Sequence, residues 1–259
     1  MDIAVLVKQV PDTNSERKLR EGDWILDRDA ADAVIDEIDS KGVEVALTLT
    51  EEHGGEVTVV TMGPERATET LRKALAMGAH KAVHVVDDAL AGSDALQTSA
   101  ALAAALKTLN VDLIISGNEA TDGRTSSVPA MLSERLGLPA VTSVRALTVD
   151  GSTLKAERAV EGGYSEITAS LPAIVSVTEK IAEPRYPNFK GIMAAKSKPV
   201  TTLSAADLGL SADTLGLANA ATVVVEGAPQ PPKAAGEKVT DDGNGGAAIA
   251  DYLAAARLI

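Results

Sequence analysis

The sequence predicts an α/β fold: a doubly wound, mainly parallel sheet with a small antiparallel hairpin region and an extended C-terminal arm. Three observations lead there. Over the first two thirds, short β-branched runs of strand length alternate with helical stretches at the spacing of βαβ units. After Pro139 the strands are joined by Asp150-Gly151 and Gly162-Gly163, turns that favour antiparallel hairpins. From Gly227 to Gly246 the chain is rich in Pro and Gly and holds too little apolar surface to fold by itself.

The elements follow in order. Ile3 to Val10 is an apolar run of strand length, and Pro11 to Asp27 a polar excursion with a hairpin expected around Trp24. Asp29 to His53 reads as helix, with a break expected near Asp39-Ser40. Glu56–Thr61, Lys81–Val86 and Val111–Ser116 are strands suited to burial on both faces of a parallel sheet. Glu65 to Met77 is a helix, with Pro64 at its first position and Gly78 as its stop. Ser93 is the expected N-cap of an Ala-rich helix reaching Leu109, and Asp94 suits its first turn. Thr125 to Leu136 is a further helix ending at Gly137. Leu147–Val149, Thr153–Ala159 and Tyr164–Ser170 are the antiparallel strands, and Ala173–Thr178 returns to a buried strand. Beyond Pro184 periodicity is lost. A turn of helix is expected within 204–217, and a last helix from about Ala247 to Leu258. Ile249, Leu253 and Leu258 give that helix an apolar face, which either packs on its own domain or wraps a partner. The organisation expected is an α/β nucleotide-binding domain over 1–203 and a C-terminal arm over 204–259.

Composition narrows the chemistry. At 259 residues, 45% apolar and 24% charged, the chain can bury a substantial core. With aromatics at only 2%, Ala, Val, Leu and Ile must build it. The formal charge of −13 argues against binding nucleic acid or anionic membrane surface. No cysteine is present, which excludes disulfides, thiolate catalysis and Cys-ligated metals. The start, Met1-Asp2-Ile3-Ala4-Val5, lacks the features of a signal peptide, so a cytoplasmic location is expected. No apolar run reaches the ~18 residues of a membrane-spanning helix, so no direct membrane insertion is expected.

Ligands of a parallel α/β sheet bind beyond the carboxyl ends of its strands. There the sequence puts Gly117-Asn118-Glu119-Ala120-Thr121-Asp122-Gly123-Arg124-Thr125-Ser126-Ser127, a loop running into a helix start with three consecutive hydroxyls. Free amides and the helix dipole favour an anion at such a start, and phosphate is the natural one. An ordinary βα loop capped by Thr and Ser is the alternative. Leu6-Val7-Lys8-Gln9 and Met62-Gly63-Pro64 close two other strands and complete a nucleotide pocket if they share that edge. Neither a Walker A motif nor G-x-G-x-x-G occurs, which disfavours a P-loop NTPase and a dehydrogenase domain. His80 and His84 stand ~13 Å apart along a strand, a surface pair rather than a metal site. No metal and no catalytic set are expected. Lys180 to Lys198 carries five cations against Glu183 alone and holds Tyr186 and the one Phe of the chain, Phe189, in a Pro-bounded stretch. Such a segment presents either an interface anchor or a residue tucked inward.

Residues 154–163, Leu171-Pro172-Ala173-Ile174-Val175-Ser176-Val177, Glu183-Pro184-Arg185-Tyr186 and Ile192-Met193-Ala194-Ala195-Lys196 resemble the beta subunit of electron transfer flavoprotein, close to the FixA-like actinobacterial type. Gly63-Pro64, residues 74–79 and Ala235-Gly236-Glu237-Lys238-Val239 match in order, so the resemblance covers nearly the whole chain. It implies a fold related to the adenine-nucleotide alpha-hydrolases and a heterodimer with an alpha subunit that holds most of the FAD. It implies a structural AMP in the beta subunit and electron flow from acyl-CoA dehydrogenases and similar flavoenzymes to a membrane quinone reductase. A carrier of this kind is not itself an enzyme.

Carried over by position, the AMP site falls on Leu6, on Asp36, Glu37, Ile38 and Asp39, on Met62, and on Gly117 through Val128. The recognition loop falls on 183–196, with Tyr186, Phe189, Lys190, Ile192 and Met193 facing partners. Phe189 stands where the family often has Leu. Asp36-Glu37-Ile38 replaces the common Asn-Pro-Phe, Asp122 to Ser127 lacks the usual Asp-Thr-Gly-Gln ending, and Thr13 stands where some members have a Tyr near the flavin. These departures leave AMP and, as in some relatives, a second FAD both open for the beta site. A stand-alone nucleotide binder of the universal-stress type is the alternative on the same fold.

Overall fold

The computed structural model describes residues 1–228, 230–236 and 238–259. Two compact units result, Met1–Val225 and Glu226–Ile259. In the first, a nine-stranded sheet is formed by β1 (Ile3–Leu6), β4 (Val57–Met62), β5 (Lys81–Val85), β6 (Leu113–Gly117), β7 (Ala140–Asp150), β8 (Thr153–Val160), β9 (Gly163–Ser170), β10 (Ala173–Val177) and β11 (Val200–Leu203). Their order is β11-β5-β4-β1-β6-β10-β7-β8-β9. Every pairing from β11 to β7 is parallel, and β7-β8-β9 is antiparallel. The expected hairpin region is therefore a continuation of the main sheet. A separate two-stranded sheet pairs β2 (Gln9–Pro11) with β3 (Ala33–Ile35).

Alternation along β1 shows how the sheet is wound on both faces. Ile3 and Val5 join the core beneath α1 (Glu37–His53) and α2 (Thr68–Met77), with Leu47, Leu71 and Leu75. Ala4 and Leu6 turn to the opposite core, with Leu102 of α3 (Ala95–Leu106) and Leu132 of α4 (Val128–Leu136). The largest fully buried side chains are Ile and Leu, as the shortage of aromatics requires. Helix α1 comes close to the sheet because Gly42 lies there: a Cβ on it would stand 3.3 Å from Ile115 and 3.7 Å from Val5 and Val177.

Several expectations need correction, each for a local reason. The run Ile3 to Val10 divides at Lys8, whose amide donates to the Asp39 carboxylate at 2.8 Å rather than to a ladder, and the chain then crosses into the small sheet. Helix α1 starts at Glu37 because Asp36 caps it through the Ile38 amide at 3.0 Å; residues 29–36 are not helical, and no break occurs at Asp39-Ser40. The N-cap of α3 is Asp94, bonded to the Gln97 amide at 2.9 Å, and not Ser93. Pro64 precedes a 3-10 turn, Glu65–Ala67, before α2 begins. Thr125, Ser126 and Ser127 precede α4 rather than forming its first turn. His84 is buried, with its ring between Thr68 Oγ1 and the Gly63 carbonyl.

The stretch after Pro184 is not irregular: it contains α5 (Phe189–Ala195), capped by Asn188, and β11, which extends the parallel edge beside β5. Residues 204–225 belong to the first unit, where Ala205 and Leu215 are buried with Val85 and Leu90, so the compact body ends after Val225 rather than at 203. The second unit contains α6 (Gly245–Ala255), preceded by Asp241, whose carboxylate accepts from the Gly243 and Gly245 amides. The Pro- and Gly-rich reading of 227–246 and the match at 235–239 include Pro229 and Glu237, which lie outside the described residues.

Overpacking the α1–sheet contact tests this arrangement. Gly42→Leu is expected to lower stability by about 1–3 kcal/mol, read as an earlier urea midpoint at unchanged m-value.

Candidate nucleotide loop and partner-recognition surface

The carboxyl ends of β1, β4 and β6 lie on one edge of the sheet, and two buried carboxylates of the α1 start join them to the loop beyond β6. Asp36 accepts from the Thr121 amide at 2.7 Å and the Thr121 hydroxyl at 2.8 Å, besides capping α1. Asp39 accepts from the Lys8 amide at 2.8 Å and the Gly117 amide at 3.0 Å. Burial, then the neighbouring charge of Asp36, pushes the Asp39 carboxyl well above the usual aspartate range. Its approach requires glycine at 117, where a Cβ would come within 2.7 Å of Asp39 Oδ1.

Asp122 is the third pin. Its side chain is fully buried, and it pairs with Lys8 at 2.9 Å and Arg28 at 2.5 Å. Burial raises its carboxyl, but the two cations outweigh that and hold it below the usual range. Arg17 donates to the Thr121 carbonyl at 2.8 Å. The excursion between β2 and β3 thus straps the loop with Arg17 and Arg28, while Thr13 on the same excursion is exposed. Arg124 and Ser126 adopt positive φ, 49° and 52°, and the Ser126 hydroxyl donates to Glu119 at 3.0 Å. The loop delivers the chain to α4, whose N-cap Ser127 makes no side-chain capping bond.

The predicted site residues therefore divide. Asp36, Asp39, Gly117, Thr121 and Asp122 are joined by hydrogen bonds to one another or to Lys8. Leu6 and Ile38 are buried in the two cores, Met62 packs partly against one of them, and Glu37 is exposed. Gly123, Arg124, Thr125 and Ser126 are exposed, while Asn118, Glu119, Ala120, Ser127 and Val128 are half-buried. Lys8, Arg17 and Arg28 were missed as loop supports. Their partners lie some 100 positions away in sequence, so no local pattern announces them.

The second group stands apart from this loop in sequence and is held differently. Glu183 pairs with the buried Lys41 at 3.2 Å. Arg185 is clamped by Glu44 at 2.8 Å and Glu51 at 2.5 Å, both on α1. Burial raises Glu44, but hydrogen bonds from Arg185 outweigh it; the same hydrogen bonding lowers Glu51. Helix α5 then lies on α2 so closely that a Cβ on Gly191 would come within 2.4 Å of the Ala76 carbonyl. Arg72 donates to the Ala195 and Lys198 carbonyls, and Lys198 to those of Leu75, Gly78 and Ala79. On this fixed backbone Tyr186 is 95% and Phe189 81% exposed, while Ile192 and Met193 are half in solvent and Lys190 is exposed. Phe189 does not tuck inward.

Comparison with known proteins decides the family. The profile of the electron transfer flavoprotein domain matches residues 23–208. The electron transfer flavoprotein subunit beta of Mycobacterium tuberculosis (H37Rv) is 54% identical, over all of this chain and 99% of its own length. The chain belongs to the electron transfer flavoprotein beta-subunit family. The subunit beta of Thermoanaerobacterium thermosaccharolyticum is 39% identical over 93% of this chain and 92% of its own length. A protein of Acetobacterium woodii named "Caffeyl-CoA reductase-Etf complex subunit CarD" is 38% identical over the same shares. As a beta subunit of an electron transfer flavoprotein, the chain works in electron transfer alongside an alpha subunit. The universal-stress alternative is not favoured, because full-length relatives bear the beta-subunit name. No helix among the described residues is long and apolar enough to cross a membrane.

Two measurements check the pins. Asp39→Asn keeps shape but turns an amide donor toward one of two backbone N–H groups, so a loss of about 1–3 kcal/mol is expected in urea unfolding. For Arg185, the depressed Glu44 and Glu51 carboxyls add stability above the ordinary glutamate value of 4.5 and lose it as pH falls through their folded values. Arg185→Gln is expected to lower the urea midpoint at neutral pH and to flatten its fall in acid.

Proposed function

We propose that this beta subunit helps carry electrons from acyl-CoA dehydrogenases and related flavoenzymes to a membrane quinone reductase, working in the cytoplasm and without catalytic residues of its own. The observation that carries this reading is the pinned α5 platform, which leaves Tyr186, Phe189, Ile192 and Met193 facing solvent on a backbone tied to α1 by Arg185 and to α2 at Gly191. Ordering such side chains against a partner costs little backbone entropy, and exposed aromatic clusters are the usual anchors of interfaces. The caffeyl-CoA reductase complex named for one relative supports CoA-ester flavoenzymes as the partner class.

The redox chemistry is that of FAD, held mainly by the alpha subunit, with this chain helping to shape the site. The arm, 204–259 by sequence and 226–259 by compactness, wraps the alpha subunit. The chain's own nucleotide site fits one phosphate group: the α4 start has no side-chain cap, stands beyond the carboxyl end of β6, and is preceded by Thr125, Ser126 and Ser127 beside the exposed Arg124. Those residues would hold the phosphate of AMP, with Leu6, Glu37, Ile38 and Met62 lining the remainder. Asp36, Asp39 and Asp122 would hold the loop from behind, their oxygens being occupied by backbone and cations.

The test is co-expression with the alpha subunit. A yellow complex with one FAD and one AMP, identified by mass spectrometry after denaturation, is the expected result. A second FAD in place of AMP would overturn the monophosphate reading. Phe189→Ala should leave complex and FAD content intact yet slow reduction by a dehydrogenase at sub-saturating donor about tenfold or more, the size of an anchor loss. An unchanged rate would remove Phe189 from the recognition surface.

A further inference from the structure

Helices α2 and α5 leave a groove of about 580 Å³ between them. Ala76, Pro187, Ile192 and Ala195 form its apolar lining, and Arg72, Lys73 and Lys196 its charged one. No carboxylate lines it, although acidic residues outnumber basic ones 37 to 24 in the chain. The three cations are not equivalent. Arg72 is spent on the Ala195 and Lys198 carbonyls at 2.6 and 2.8 Å. Lys73 and Lys196 are exposed and form no ion pair among the described residues. Ile192 belongs both to this groove and to the exposed cluster around Phe189, so the two surfaces are continuous.

We propose that the donor-facing surface extends beyond the recognition loop onto α2, and that this groove receives an apolar side chain flanked by carboxylates from the electron-donating flavoprotein. Contact then runs in both directions: Phe189 projects into the donor, and a donor side chain lies over Ala76 and Ile192 between Lys73 and Lys196. Charge complementarity selects the occupant. A rim of two unneutralised ammonium groups on a strongly acidic protein attracts carboxylates locally and repels a basic surface, and it acts mainly on association rate. The inference rests on the reading of α5 as donor-facing, and the test separates the two.

The FAD-loaded heterodimer is mixed with an acyl-CoA dehydrogenase reduced by its substrate, and flavin reduction is followed by stopped flow at several salt concentrations. Lys73→Glu is expected to slow the second-order step about five- to tenfold at low salt, with the deficit shrinking as salt rises. Lys155→Glu, the same charge change on an exposed residue of β8, should leave the rate near wild type. Ala76→Leu, which fills the groove without altering charge, should slow the step at every salt concentration. FAD content and heterodimer mass are checked for each variant. A wild-type rate for Lys73→Glu, or equal slowing by Lys73→Glu and Lys155→Glu, would overturn the groove proposal. If Phe189→Ala still slows reduction in that case, the donor-facing reading of α5 stands without it.

Discussion

Two carboxylates three residues apart at the start of α1 set the architecture of the sheet edge. Asp36 and Asp39 are both buried, and between them they accept from the amides of Lys8, Ile38, Gly117 and Thr121. Those amides belong to the β1 exit, the α1 first turn, the end of β6 and the loop beyond it. Each would otherwise be a donor lost to strand or helix bonding, at a cost of about 1–3 kcal/mol if left buried and unpaired. Burying two carboxylates in one place is unfavourable: burial first, and then the neighbouring charge of Asp36, raises the Asp39 carboxyl. The bonds they accept offset that cost, and the result is one joint between three elements and a loop.

The same helix carries the second site. Beyond its pinned start, Lys41, Glu44 and Glu51 hold Glu183 and Arg185. Over 17 residues α1 is about 25 Å long, and it is seated on the sheet through Gly42. One rigid rod therefore fixes both the candidate nucleotide loop and the base of the recognition segment. Helix α2 completes the support through Arg72 and the close approach at Gly191. Anchoring the segment at its backbone and its charged residues is what frees the apolar side chains to face outward.

Much of the parallel core was legible because strands buried on both faces must be β-branched and short, and Val57–Met62, Lys81–Val85 and Leu113–Gly117 are. Gly78 and Gly137 marked helix ends, at φ 144° and 66°, because few other residues adopt such angles. What could not be read depended on distant partners. Residues 29–36 have helical composition, yet Asp36 caps a later start and Ala33–Ile35 pairs with Gln9–Pro11. Strand β11 is only four residues, Val200-Thr201-Thr202-Leu203, apolar at its ends alone, and it forms because β5 offers an open parallel edge. At α5 the cue was present: Asn188 caps the Gly191 amide at 2.8 Å, three residues on, but seven residues are too few for periodicity to emerge. Of the candidate loop, its position beyond β6 was readable. Its strapping by Arg17 and Arg28 was not.

This division of labour would suit the proposed role, in which partners are met briefly. A tight, permanent interface is broad and apolar, whereas a carrier that docks and leaves needs a small anchor, low ordering cost and attraction that acts before contact. The segment 183–196 has each of these properties in a separate part. Buried or clamped groups, Arg185 and Gly191 among them, supply the rigidity. Phe189 and Tyr186 supply compact apolar area on few rotatable bonds. The exposed lysines supply local positive charge on a chain whose overall charge is −13. Because these parts are distinct residues, affinity, rate and fold stability can be altered one at a time. On the proposed reading, loss of Phe189 would act on residence and loss of a rim lysine on arrival, while loss of the Arg185 clamp would act on the segment that carries both.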